Sequence, residues 1–231
     1  MKPGFFARLL AARAAKRPAA LVTRLSDNAQ TLVDADTASG DFELAASEWA
    51  ALRERWVSGQ SGPLDADGDI FARVYVPAPR LLIVGAVHIA QALAPMAALA
   101  GYAVTLIDPR RAFASAERFP DAVISDEWPD EAMTRLMPDA QTAVVALTHD
   151  PKLDDPALAV ALNSPAFYIG ALGSTRTHEK RLARLRELGL EKQLARIHAP
   201  VGLDLGGRYP SEIAVAILAE IIRVRYKGNG R

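Results

Sequence analysis

Cysteine is absent from this chain. Without it there is no disulfide, no thiolate metal site, and no persulfide or thioester chemistry on the protein's own sulfur. That fits a reducing compartment, and the expected location is the cytoplasm. Net charge is missing too, because 27 basic residues balance 27 acidic ones. The balance argues against a field built for nucleic acid or an anionic membrane surface. The longest stretch free of Asp, Glu, Lys and Arg runs from Leu81 to Ile107. Gly85, Gln91, Pro95 and Gly101 interrupt it where a strand-helix-strand unit would turn, so it reads as part of a soluble fold rather than a membrane span. Near the start, Arg8 and Arg13 break the apolar pattern that a signal peptide needs.

What is present is a hydrophobic half of the residues, enough to bury a sizeable core in 231 residues. That length suits a Rossmann unit with a small appendage. The first part mixes patterns. Phe5, Phe6, Leu9 and Leu10 predict a helix ended by Pro18. Ala20 to Leu25 and Gln30 to Val33 read as short strands around the turn Ser26-Asp27-Asn28. Phe42, Ala45, Trp49, Leu52 and Trp56 fall on one helical face that stops at Gly59, and Ile70 to Val76 reads as a strand. Pro77-Ala78-Pro79 is a stiff connector. The expected organisation is therefore an α+β segment over residues 1–79 and a second domain over residues 80–231.

Beyond the connector, strands and helices alternate. Leu81 to Val84 is a continuous apolar run, as in a strand buried on both faces. Further strands are expected at 103–107, 122–124, 142–147, 166–169 and 196–198. Helices are expected at 88–100, 130–137, 155–162, 177–188 and 211–225. This alternation predicts an α/β fold, a Rossmann-like parallel sheet with helices on both faces.

The candidate chemistry sits in the turns. Gly85-Ala86-Val87-His88 follows the first of these strands, and Ala90 meets the packing demand of a dinucleotide fingerprint. Its middle glycine is replaced by Val87, whose branched side chain stands where a pyrophosphate would approach. Asp108 lies where a carboxylate binds a ribose hydroxyl, and Arg110 and Arg111 beside it could instead meet a phosphate. Gly170, Gly173, Ser174 and Arg176 form a second glycine-rich turn before a helix. It offers either an anion seat, with Arg176 as a clamp, or plain capping by Ser174, Thr175 or Thr177. Thr148-His149-Asp150 ends another strand, and His149 and Asp150 could act as base and orienting acid, as metal ligands, or as loop caps. Gly202, Asp204 and Gly206 mark a tight loop before a helix opened by Pro210 and Glu212. His88, His178 and His198 are scattered over other turns. No residue is assigned a catalytic or metal-binding role.

Five stretches carry a resemblance: IVGAVHIAQALAP, TLIDPRRAFASAERFP, LTHDPKLDDPAL, YIGALGSTRTH and HAPVGLDLGGRYPSEIAVAILAEI. Together they resemble the Rossmann domain of the XdhC/CoxI family of maturation factors for molybdenum hydroxylases. The resemblance implies a protein that binds molybdenum cofactor, as molybdopterin or molybdopterin cytosine dinucleotide, and hands it to a client of the xanthine dehydrogenase or CO dehydrogenase type. It implies a ligand cleft lined by Gly85, Ala86, Val87, His88, Asp108, Arg110, Thr148, His149, Gly170, Gly173, Ser174, Arg176 and Asp204. Two departures stand out. The family's Gly-Ala-Gly turn is Gly85-Ala86-Val87 here, and its N-terminal Gly-Gly-Cys-x-Glu segment has no counterpart, so residues 1–79 read as a shortened form of that region. Any role that needs that thiol is unsupported. A homodimer is expected from the apolar last helix and from the family. Two further readings remain open: an NAD(P)-dependent oxidoreductase, and an interaction scaffold without a ligand.

Overall fold

The structure is a computed structural model that describes residues 2–15, 17–34, 37–120 and 122–228. The chain divides into two compact units, Met1–Pro77 and Ala78–Arg231.

The first unit contains α1 (Pro3–Ala14), β1 (Ala19–Arg24), β2 (Gln30–Asp34), β3 (Thr37–Gly40), α2 (Ala46–Ser58), β4 (Gly62–Pro63) and β5 (Ile70–Tyr75). Its strands form an antiparallel sheet in the order β3-β2-β1-β5-β4. Leu52 of α2 is fully buried and joins Ala20, Val22, Val33, Ile70 and Ala72 in the core. The helix starts later than the stripe of Phe42 and Ala45 predicts. Glu48 Oε2 accepts the Ala45 N–H at 2.8 Å, which caps the chain there. Phe42 reaches the same core from the preceding loop. Gly59, at φ 70°, ends α2 in the left-handed conformation.

The second unit runs β6 (Arg80–Val84), α3 (His88–Leu99), β7 (Ala103–Ile107), β8 (Val123–Ser125), α4 (Pro129–Leu136), β9 (Thr142–Ala146) and α5 (Pro151–Leu162). It continues through β10 (Tyr168–Ala171), α6 (Thr175–Glu187), a 3-10 turn (Glu191–Arg196), β11 (Ile197–His198) and α7 (Pro210–Lys227). All six strands pair in parallel in the order β11-β10-β9-β6-β7-β8. Counted from the start of the unit, that is the doubly wound order 3-2-1-4-5-6, with its reversal between β6 and β9.

Both faces of this sheet are covered. Leu81 and Ile83 face α3 and α7, where Ile89, Leu93, Ile217 and Ile221 pack. Leu82 and Val84 face the other way, towards Met133 of α4, Leu158 of α5 and Leu185 of α6. Each fully buried side chain of this kind contributes roughly 1.5–3 kcal/mol. Double-sided burial is why β6 reads as an unbroken apolar run.

Three boundaries differ from the sequence expectations in ways that affect the site. Helix α5 begins at Pro151, because Asp150 accepts the Lys152 N–H at 2.9 Å and proline suits the first turn. Strand β10 extends to Ala171, so Gly170 is a buried strand residue rather than part of an exposed turn. Strand β9 ends at Ala146, which leaves Thr148 and His149 in the following turn.

Candidate functional site

The parallel strands bring their following turns to one end of the sheet, the place where open α/β folds bind ligands. At the reversal point, Gly85 follows β6 with φ 108°, a backbone that other residues rarely adopt. A Cβ on it would lie 2.5 Å from Thr148 Cγ2. The methyl of Thr148 therefore stands over the glycine turn that a pyrophosphate would approach. Val87 caps α3 with extended angles, φ −87° and ψ 172°, and its side chain packs against the core. Nothing in that conformation calls for glycine. His88, the first residue of α3, is exposed.

Asp108, after β7, is fully buried. Its Oδ2 accepts the Ala86 N–H at 2.8 Å, and Arg110 grips both oxygens with Nε and Nη2 at 2.9 and 2.8 Å. Burial alone would raise this carboxyl's pKa, but Arg110 and the Ala86 N–H together lower it. Asp108 thus ties the turn after β6 to the turn after β7. It is sealed away from the place where a ribose hydroxyl would meet it, and Arg110 spends its Nε and Nη2 on it.

Thr148 and His149 sit above the start of α5. Asp154 gathers this turn by accepting the Thr148 hydroxyl at 2.6 Å and the Thr148 and His149 N–H groups at 3.2 and 3.1 Å. His149 is left-handed at φ 63° and exposed.

The next turn joins β10 to α6. Gly170 serves packing: a Cβ there would lie 2.5 Å from Val201 Cγ2 and 2.8 Å from the Tyr168 ring. Ser174 caps α6, accepting the Thr177 N–H at 3.3 Å. Beside it, a cavity of about 190 Å³ is lined by His149, Arg176, Lys180, Arg181, Arg184 and both Asp154 and Asp155. Arg184 pairs with Asp155. Arg181 is 2% exposed, pairs with Asp154 at 3.5 Å, and donates from Nη2 to the Leu172 carbonyl at 2.9 Å. Its Nε and Nη1 have no hydrogen-bond partner among the described residues. Four cations against two carboxylates leave this cavity positive, and a small anion would complete it.

After β11, residues 199–208 arch over α7 and enclose a cleft of about 820 Å³. Asp204 lines it, exposed to solvent, with Gly202, Gly206 and Gly207 on the loop side and Ile213, Ala216, Glu220 and Arg223 on the helix side. Gly202 has φ 97°, and a Cβ there would touch the α7 backbone at 3.1 Å, so glycine lets the loop lie directly on the helix.

Of the residues expected to line a ligand site, Asp204 borders the large cleft, and His149 and Arg176 border the positive cavity. Gly85, Ala86, Asp108, Arg110 and Thr148 form a packed floor at the reversal point. Sequence reasoning missed Tyr168, Lys180, Arg181 and Glu220. Arg181 and Glu220 share a legible signal, since each carries a charge on the buried face of its helix, beside Leu185 in α6 and beside Ile217 and Ile221 in α7. Among the described residues, no group of three or more His, Cys, Asp or Glu side chains is placed to hold a metal. No described helix is long and apolar enough to cross a membrane.

The chain is 37% identical over 150 residues to the molybdenum cofactor insertion chaperone PaoD of Escherichia coli, covering 64% of this chain and 41% of that one. It is 32% identical over 162 residues to a probable xanthine dehydrogenase subunit of Bacillus subtilis, covering 70% and 47%. It is 34% identical over 164 residues to the uncharacterized E. coli protein YqeB, covering 70% and 30%. The chain therefore spans less than half the length of these relatives. A solved structure from Bacillus halodurans, described as a xanthine dehydrogenase, shares the fold with a TM-score of 0.72 at 23% identity, over 97% of this chain and 64% of that one. Residues 81–221, from β6 into α7, match the XdhC Rossmann domain, and the chain belongs to the XdhC family.

Proposed function

We propose that this protein binds molybdenum cofactor as cargo and assists its insertion into a molybdenum hydroxylase of the xanthine dehydrogenase or CO dehydrogenase type. The observation that carries the reading is the cleft of about 820 Å³ between the loop after β11 and α7. Its volume suits an organic ligand the size of molybdopterin or its cytosine dinucleotide. The cargo carries phosphate, and the unpartnered guanidinium nitrogens of Arg181, with Arg176 and Lys180 at the same cavity, fit that charge. Asp204 and the backbone of the glycine loop would hold the organic part. On this reading the role is carriage in the cytoplasm, and any sulfur supplied to the cargo comes from elsewhere than this cysteine-free stretch. The name of the E. coli chaperone PaoD supports the same assignment.

An NAD(P)-dependent oxidoreductase is disfavoured by the floor of the reversal point. Asp108 is sealed, and the Thr148 methyl covers Gly85. A homodimer would use the exposed Val215, Ile222 and Tyr226 of α7.

Native mass spectrometry of the gently purified protein, offered molybdenum cofactor, cytidine nucleotides and NAD(P), tests the proposal. Retention of the pterin or its cytosine dinucleotide is expected, and Arg176→Ala should weaken it by about 1.5–3 kcal/mol. Binding of NAD(P) alone would overturn it in favour of the oxidoreductase, and binding of nothing in favour of a scaffold.

A further inference from the structure

The large cleft has a histidine in its wall, held in an unusual way. His198 ends β11, is 8% exposed and lines the cleft. Its Nδ1 lies 3.1 Å from Glu220 Oε1. Glu220 is 7% exposed, and its other oxygen accepts the Tyr168 hydroxyl at 2.6 Å and the Gly202 N–H at 2.8 Å. The Tyr168 and His198 rings stack with centroids 4.6 Å apart. Arg223 adds a cation 3.6 Å from Glu220 Oε1.

The protonation pattern follows from these contacts. Burial pushes the Glu220 carboxyl up, but His198, Tyr168 and the Gly202 N–H outweigh it and hold the pKa at about 2. Burial, with the Glu220 charge, pushes the Tyr168 hydroxyl upward, so it remains a donor. An ionised carboxylate can only accept, so Nδ1 must carry a proton. In the neutral ring that leaves Nε2 bare. Nε2 makes no hydrogen bond within the protein among the described residues.

We infer that His198 contacts the ligand in this cleft, its Nε2 accepting a hydrogen bond from a ring N–H or exocyclic amine of a planar heterocycle, with Glu220 and Tyr168 as positioning residues. The inference rests on the reading of the cleft as an organic-ligand site and specifies how part of that ligand is recognised. A buttress for the Gly202 turn would need Glu220 alone. It would not need an imidazole with its tautomer fixed and its second nitrogen without a protein partner at a cavity wall.

The test is an NMR experiment on the full chain carrying 15N-labelled histidine, with pterin-6-carboxylate, cytidine monophosphate and inorganic phosphate as probes. In the free protein with the imidazole neutral, His198 should show a protonated Nδ1 and a bare Nε2. Pterin-6-carboxylate or the cytidine nucleotide should shift Nε2, and phosphate should not. His198→Gln should weaken heterocycle binding by about tenfold, the loss of one good hydrogen bond. Glu220→Gln should remove the tautomer preference, and Tyr168→Phe should weaken it. An Nε2–H tautomer in the free protein overturns the inference. So does a His198 signal that stays still while a heterocycle moves other resonances, or wild-type affinity in His198→Gln; either leaves the cargo reading intact. If no heterocycle moves any resonance, the cargo reading falls and the inference falls with it.

Discussion

Replacing Glu220 by glutamine gives the sharpest physical test of the second unit. The carboxylate receives hydrogen bonds from Tyr168, Gly202 and His198. Glutamine keeps the shape but presents one amide N–H₂ to a wall of donors. The carboxyl moves from 4.5 in the unfolded chain to about 2 when folded. A group whose folded pKa is depressed contributes stability above its unfolded pKa and loses it as pH falls. A shift of this size is worth roughly 3 kcal/mol at neutral pH, at about 1.4 kcal/mol per unit. Wild type should therefore exceed Glu220→Gln by about that much at pH 7. The gap should shrink by about 1.4 kcal/mol per pH unit below 4.5 and be largely gone near pH 2. Urea titrations followed by the assigned amide signals of β10 and β11 report on this unit alone. A gap that stays constant between pH 7 and 3 would refute the assignment of an ionised, triply bonded carboxylate.

The other predictions concern the floor of the reversal point. Gly85→Ala should cost roughly 1–2 kcal/mol for the backbone conformation alone, plus the clash with Thr148. Adding Thr148→Ser removes that methyl, keeps the hydroxyl for Asp154, and should recover only the clash; full recovery in denaturation curves would show that the conformation is not strained. Asp108→Asn should destabilise by about 1.5–3 kcal/mol, and wild type should lose this advantage as pH falls below the ordinary carboxyl value of 3.8. An unchanged midpoint at pH 7 would contradict the role of Asp108 as a tie between turns. Val87→Gly should cost roughly 1 kcal/mol in packing and backbone freedom and bring no NAD affinity, so a calorimetric gain in NAD binding would restore the dinucleotide reading.

The alternation of strands and helices was legible because burial on both faces writes itself into apolar runs such as Leu81 to Val84. Strand β3 was not, since Thr37 to Gly40 are all exposed and carry no period. The start of α5 was not legible: the helix was expected from residue 155, whereas it begins at Pro151, a proline that fits the first turn. In the site, the position of Asp108 could be read but its role could not. Its consumption by Arg110 depends on how two turns fold over one another. Glu220 was readable in principle as a carboxylate on a stripe of isoleucines. Its partners Tyr168, His198 and Gly202 come from separate stretches, and only the sheet brings them to it.

Helix α7 packs on the sheet with one side and walls the cleft near its other residues, so the same few turns belong to the core and to the ligand site. Folding and binding are therefore written in one element. Ligand bound only to the folded form at a hundredfold excess over its dissociation constant adds about 2.7 kcal/mol to that element's stability. The melting of α7 becomes a ligand sensor, and a screen of unlabelled compounds by thermal shift can search for the cargo without knowing its name.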